Sequence, residues 1–144
     1  MEEVVISMNT VHHYDGDSDG LDFTTDGYYS FDGGRATIEY FESEVTGMPG
    51  TRTTVNITPE QVVVDRVGQI NSKMIFRTDR QEKFQYETPY GMANLGINTR
   101  KMSHHFTPDG GELSMEFVLN MEHAVITRND FNIKVRKIGE NLNG

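Results

Sequence analysis

The chain of 144 residues has no cysteine. Disulfides, thiolate metal sites and cysteine nucleophiles are therefore excluded. Nothing in it approaches the run of ~18 apolar residues that a membrane-spanning helix needs. Its opening, MEEVVISMNT, is acidic and lacks the basic stretch and apolar core of a secretory signal. Bases are scarce where acids are dense: residues 1–50 hold eleven acids against the single base Arg35, a balance of −10. Residues 51–100 come to +2 and the remainder to −1, for a formal net charge of −9. Phosphate backbones and anionic bilayers are held by clustered Lys and Arg, so neither nucleic acid nor a membrane is an expected partner. A cytoplasmic protein is expected.

No window of eleven or more residues shows helical periodicity, whereas alternation with period two runs from end to end. In ELSMEFVLNM, Leu113, Met115, Phe117, Leu119 and Met121 share one face. FNIKVRKI and ATIEYFE repeat the pattern, and VVISMNTVHHY sets Val4, Ile6, Met8 and Thr10 on one side. Turn signals such as DGDSDG, TDGY, FDGG, TGMPG, TPDGG and RND separate the runs. Strands are expected at 3–14, 20–25, 27–32, 35–43, 51–58, 61–66, 69–77, 82–88, 92–105, 111–123 and 130–138. Short strands joined by tight turns favour an antiparallel meander, since parallel pairing would need crossover helices. Closure then removes the exposed edges. The expected fold is all-β, an antiparallel closed barrel of about eight to ten strands. One domain is expected over 1–138, with a loose tail at 139–144. A chain of this length buries roughly two-thirds of its unfolded surface.

Residues 14–31, YDGDSDGLDFTTDGYYSF, contain D-x-D-x-D-G-x5-D. As a calcium loop this would use Asp15, Asp17, Asp19 and Asp26, with Gly20 at the turn. Position eight, however, is Asp22 rather than an apolar residue, position twelve is not Glu, and the flanks read as strands. A hairpin in which Asp and Gly supply turn geometry is the favoured reading. The histidines occur as His12-His13, His104-His105 and His123. Strand neighbours point to opposite faces, so neither pair can chelate one ion. His12 alone shares the face of Ile6 and Met8. With no nucleophile elbow, zinc-protease motif or phosphate loop, no catalytic residue, metal or cofactor is assigned.

The polar residues of interest are those that alternation places on an apolar face. After Ala36 and Ile38, Tyr40 and Glu42 continue inward; after Val62 and Val64, Arg66 does the same; after Phe84 come Tyr86 and Thr88, with Tyr90 just beyond. A buried carboxylate and a buried guanidinium must pair with each other or hold a ligand, because an unpaired buried charge costs several kcal/mol.

The block Y-x-E-S-x-x-T-G-x-x-G-T at Tyr40–Thr51, the R-x-G pair Arg66 and Gly68, and YETPYG at Tyr86–Gly91 give the chain its familiar look. From its opening strand to about Ile138 it resembles the YwiB-like family of small bacterial calycin, or lipocalin-like, barrels. That resemblance implies a closed barrel with an interior cavity, and no activity. Together with the inward charges it leads to the expectation of a small amphipathic or anionic molecule bound inside. Arg66 and Glu42 would fix its polar group, and Tyr40, Tyr86, Tyr90, His12, Met115 and Phe117 would supply contact surface. The alternative is a protein-interaction module using the acidic hairpins at 15–32 or an exposed strand edge, through which a homodimer could also form.

Overall fold

The computed structural model describes residues 1–69, 71–88, 91–121 and 124–138, and of Glu87 and Thr88 only the backbone. Ten strands follow one another: β1 (Glu2–Tyr14), β2 (Asp17–Asp32), β3 (Arg35–Phe41), β4 (Thr51–Ile57), β5 (Val62–Gly68), β6 (Ser72–Phe76), β7 (Glu82–Thr88), β8 (Gly91–Thr107), β9 (Gly110–Met121) and β10 (Ala124–Lys137). They form a single antiparallel sheet in the order β6-β5-β4-β3-β2-β1-β10-β9-β8-β7. The sheet curls until β6 and β7 lie against one another, without ladder pairing among the described residues. The result is a nearly closed ten-stranded barrel whose first and last strands pair from Val4↔Lys137 to His13↔Arg128 and whose seam, among the described residues, lies between β6 and β7. None of its described segments is a helix long and apolar enough to cross a membrane.

The reversals follow from local chemistry. Tyr14 pairs with Asp17, so β1 and β2 are joined by the two residues Asp15 and Gly16. Their φ values are 44° and 82°. This is the left-handed pair that a tight hairpin demands and that Asp-Gly supplies cheaply. By contrast the TDGY sequence is no turn. The strands expected at 20–25 and 27–32 form the single strand β2, and Gly27 is there for close approach: a Cβ on it would lie 2.4 Å from Ile6 Cδ1 and 2.5 Å from the Glu39 carbonyl. Likewise RND lies inside β10, which starts at Ala124 and not at 130. The tail expected at 139–144 lies outside the described residues.

Alternate residues fill the interior. Val4, Ile6, Tyr29, Ile38, Val55, Val62, Ile97, Leu113 and Ile133 are at most 2 % exposed and belong to one continuous cluster. Phe76 of β6 meets Phe117 of β9 edge-on at 4.8 Å, an aromatic contact across the core beneath the seam. Tyr29 of β2 is tied to the end of β8, donating its hydroxyl to the Thr107 carbonyl at 2.6 Å.

Burial, with the Asp109 carboxylate adding to it, pushes the Tyr29 phenol from 10.0 up to about 12. The folded protein therefore holds this proton more tightly than the unfolded chain does. The stabilisation is complete below pH 10.0 and is lost as pH rises from there through about 12. Denaturant melts should show Tyr29→Phe losing less stability than the parent across that alkaline window, and about 0.5–1.5 kcal/mol weaker near neutrality for the missing hydrogen bond. Identical alkaline slopes in both proteins would contradict this.

Candidate functional site

The polar cluster sits where β3, β4, β5 and β6 end or begin at one mouth of the barrel. The ladder sets Tyr40 opposite Thr53, Thr53 opposite Arg66, and Arg66 opposite Ser72. Glu42 lies one residue past the end of β3, yet its amide donates to the Thr51 carbonyl at 2.8 Å. That bond prolongs the pairing and keeps the Glu42 side chain on the inward face. Glu42 is consequently 7 % exposed, beside Tyr40 at 4 % and Thr51 and Thr53 at 0 %.

Satisfaction of these groups is incomplete. Thr53 Oγ1 donates to Glu42 Oε1 at 3.1 Å. Glu42 Oε2 is buried without a partner, and so is Arg66 Nε. Arg66 instead directs Nη1 at Met74 Sδ, 3.7 Å away, a weak acceptor. The Tyr40 hydroxyl donates to Met8 Sδ at 3.6 Å. Burial above all, then the Glu42 charge, drives the Tyr40 phenol far above its usual range, and Arg66 pulls the other way. Both charges thus act on one phenol. Among the described residues no ion pair joins them to each other. Of the two outcomes open to an inward carboxylate and guanidinium, direct pairing is the one the geometry does not adopt.

The residues named from sequence part company here. Tyr40, Glu42 and Arg66 come together. Met115 and Phe117, 4 % and 8 % exposed, are core side chains on β9. Tyr86 is 43 % exposed, which corrects its inward assignment: it keeps the parity of Phe84 but lies further along β7, past the packed core. His12 is also exposed, its Nδ1 paired with Asn129 Oδ1 on β10, while His13 Nε2 meets Asp130 Oδ2 at 3.1 Å. Tyr90 and His123 lie outside the described residues. The calcium reading fails on geometry: from Asp17 to Asp26 the chain is extended strand, nine steps of about 3.3 Å, or roughly 30 Å. Asp15, Asp17, Asp19 and Asp26 therefore cannot close around one ion, and Asp19 accepts the Tyr14 hydroxyl at 2.6 Å. Sequence reasoning passed over Thr51 and Thr53, although they carry the inward parity of Val55 and Ile57. It also passed over Met8 and Met74 as the soft acceptors.

Comparison with known proteins settles the lineage. The family described as "Domain of unknown function (DUF1934)" matches residues 6–133. The chain belongs to that family. It is 20 % identical over 118 residues to the uncharacterized beta-barrel protein YwiB of Bacillus subtilis (strain 168), covering 82 % of each chain. The crystal structure of the ywiB protein from Bacillus subtilis superposes with a TM-score of 0.83 at 18 % identity, over 94 % of this chain and 92 % of that one. This likeness carries the DUF1934 barrel fold alone.

A buried carboxylate oxygen with no donor should make Glu42 dispensable for stability while Thr53 is not. Thr53→Val should cost about 1–3 kcal/mol, since it strips the hydroxyl that donates to Glu42 Oε1. Glu42→Gln should be neutral or stabilising, and in that background the cost of Thr53→Val should shrink markedly. Strictly additive effects in urea melts would show that the two groups are not coupled.

Proposed function

We propose that this DUF1934 protein is a non-enzymatic binder of a small amphipathic or anionic molecule, whose polar head sits between Glu42 and Arg66 at the barrel mouth. One observation carries the reading: two opposite charges turned inward, each with a buried polar atom that the protein leaves unsatisfied. Buried polar groups in native proteins are overwhelmingly paired, and the exceptions concentrate where a ligand or ordered water completes them. The head would take donors from the guanidinium and give one to Glu42 Oε2, with Tyr40 and Thr53 completing the cradle. Its apolar part would rest on Met8 and Met74, flexible thioethers that adapt to irregular shapes. Because aliphatic and aromatic side chains occupy the core below, the ligand is short and held near the mouth.

A second reading has its own support. The ladder from β2 to β3 covers Tyr28–Asp32, so among the described residues the stretch Asp17–Gly27 has β1 on one side and no paired strand on the other. That edge carries Asp17, Asp19, Asp22 and Asp26. It would suit a basic extended segment of a partner protein.

Native mass spectrometry of freshly purified protein, with a thermal-shift screen of short fatty acids, aromatic acids and nucleotides, separates the two. A retained or stabilising small molecule is expected, worth about 2.7 kcal/mol at a hundredfold excess over Kd. The effect should vanish in Arg66→Met and survive charge reversal at Asp19 and Asp22. A bare protein that no compound stabilises would move the function to the acidic edge.

A further inference from the structure

The outer face of β7, β8 and β9 holds a cleft of about 570 Å³, a size typical of small-molecule sites. Its construction is specific. The register sets Lys83, Gly96 and Asn120 in one row and Asn98 beside Val118 in the next. Gly96 leaves the centre of the first row without a side chain: a Cβ there would lie 2.3 Å from Gln81 Nε2 and 3.0 Å from Asn120 Oδ1. The two amides fold over it instead. Asn120 Oδ1 accepts from Asn98 Nδ2 at 2.9 Å and from Gln81 Nε2 at 3.3 Å. Val118 points outward and is still only 4 % exposed, giving the cleft an apolar floor.

Its charge is the second feature. In a protein of net charge −9, the described residues that line the cleft include Lys83 and Arg100 and no acid. Arg100 lies at a register shift between Thr99 and Lys101, a bulge of the kind that re-aims a side chain. Neither base forms an ion pair among the described residues. The acids of the adjoining loop are already engaged: Asp79 by Arg77 at 3.0 Å and Glu82 by Arg80 at 2.7 Å.

We propose that this outer cleft is a second binding site, for a small oxyanion carried on a hydroxylated body, as in a sugar phosphate or sugar acid. Arg100 and Lys83 bind the oxyanion, where guanidinium and ammonium donors form their strongest hydrogen bonds. Asn98, Asn120 and Gln81 serve the hydroxyls, and Val125, which is exposed at the cleft, carries the apolar face of the ring. The site lies on the outside of the barrel wall and does not depend on the Glu42–Arg66 mouth.

The test is titration of ¹⁵N-labelled protein with glucose 6-phosphate, glucuronate, glucose and inorganic phosphate. Saturable shifts confined to residues 94–100 and 118–120 are expected with glucose 6-phosphate or glucuronate, and which of the two binds tighter identifies the oxyanion. Glucose should give none, and inorganic phosphate should bind more weakly than its ester. Arg100→Gln and Lys83→Gln, both exposed and so expected to leave the melting temperature unchanged, should each weaken binding about tenfold or more. Arg66→Met should leave it intact. No saturable shift up to about 10 mM, well beyond the useful affinity range, or binding indifferent to Arg100→Gln, would overturn the proposal.

Discussion

Everything in this barrel depends on the ladder between β1 and β10. Backbone N–H and C=O groups cannot be buried unpaired, and a curled ten-stranded sheet would otherwise present two long open edges in its middle. By pairing the first strand with the last, the chain leaves the short strands β6 and β7, among the described residues, as the neighbours without a ladder. It also fixes which face of every strand looks inward, since a slip of one residue would invert them all. That parity brings Tyr40, Glu42, Thr53 and Arg66 to one mouth of the barrel. A site of this kind is a consequence of register, assembled from residues far apart in sequence.

The same constraint explains what could be read without a structure. Period-two alternation is a one-dimensional signal, so the class of fold, the barrel and the inward placement of Glu42 and Arg66 were legible in the chain. Where the reading failed, a three-dimensional fact intervened. Asp-Gly at 15–16 is a turn while Asp-Gly at 26–27 is not, because Gly27 answers to Ile6 and Glu39 on neighbouring strands. Tyr86 follows the inward parity of Phe84, but parity does not say how far along a strand the core extends. The acidic spacing of a calcium loop likewise carries no information about whether the chain bends or runs straight. Whether Glu42 and Arg66 would touch was beyond sequence altogether, since it depends on side-chain reach across β4.

The two candidate sites share a logic of incomplete satisfaction. At the mouth, burial leaves Glu42 Oε2 and Arg66 Nε without partners. On the outer wall, two cations of an acidic protein surround an amide-rich hollow. A sequence selected for stability alone would have paired the first and matched the second with acids, since unsatisfied buried polar groups cost about 1–3 kcal/mol each. On the binding readings proposed above, retaining them is what a ligand site requires, where stability and function pull apart.

The most direct test is a high-resolution crystal structure of protein purified without exposure to added ligands, read at the space between Glu42 Oε2 and Arg66 Nε. Density for a bound molecule contacting both atoms, and extending towards Met8 and Met74, is the expected result. A guanidinium turned to form a direct salt bridge with the Glu42 carboxylate, closing that space, would contradict it.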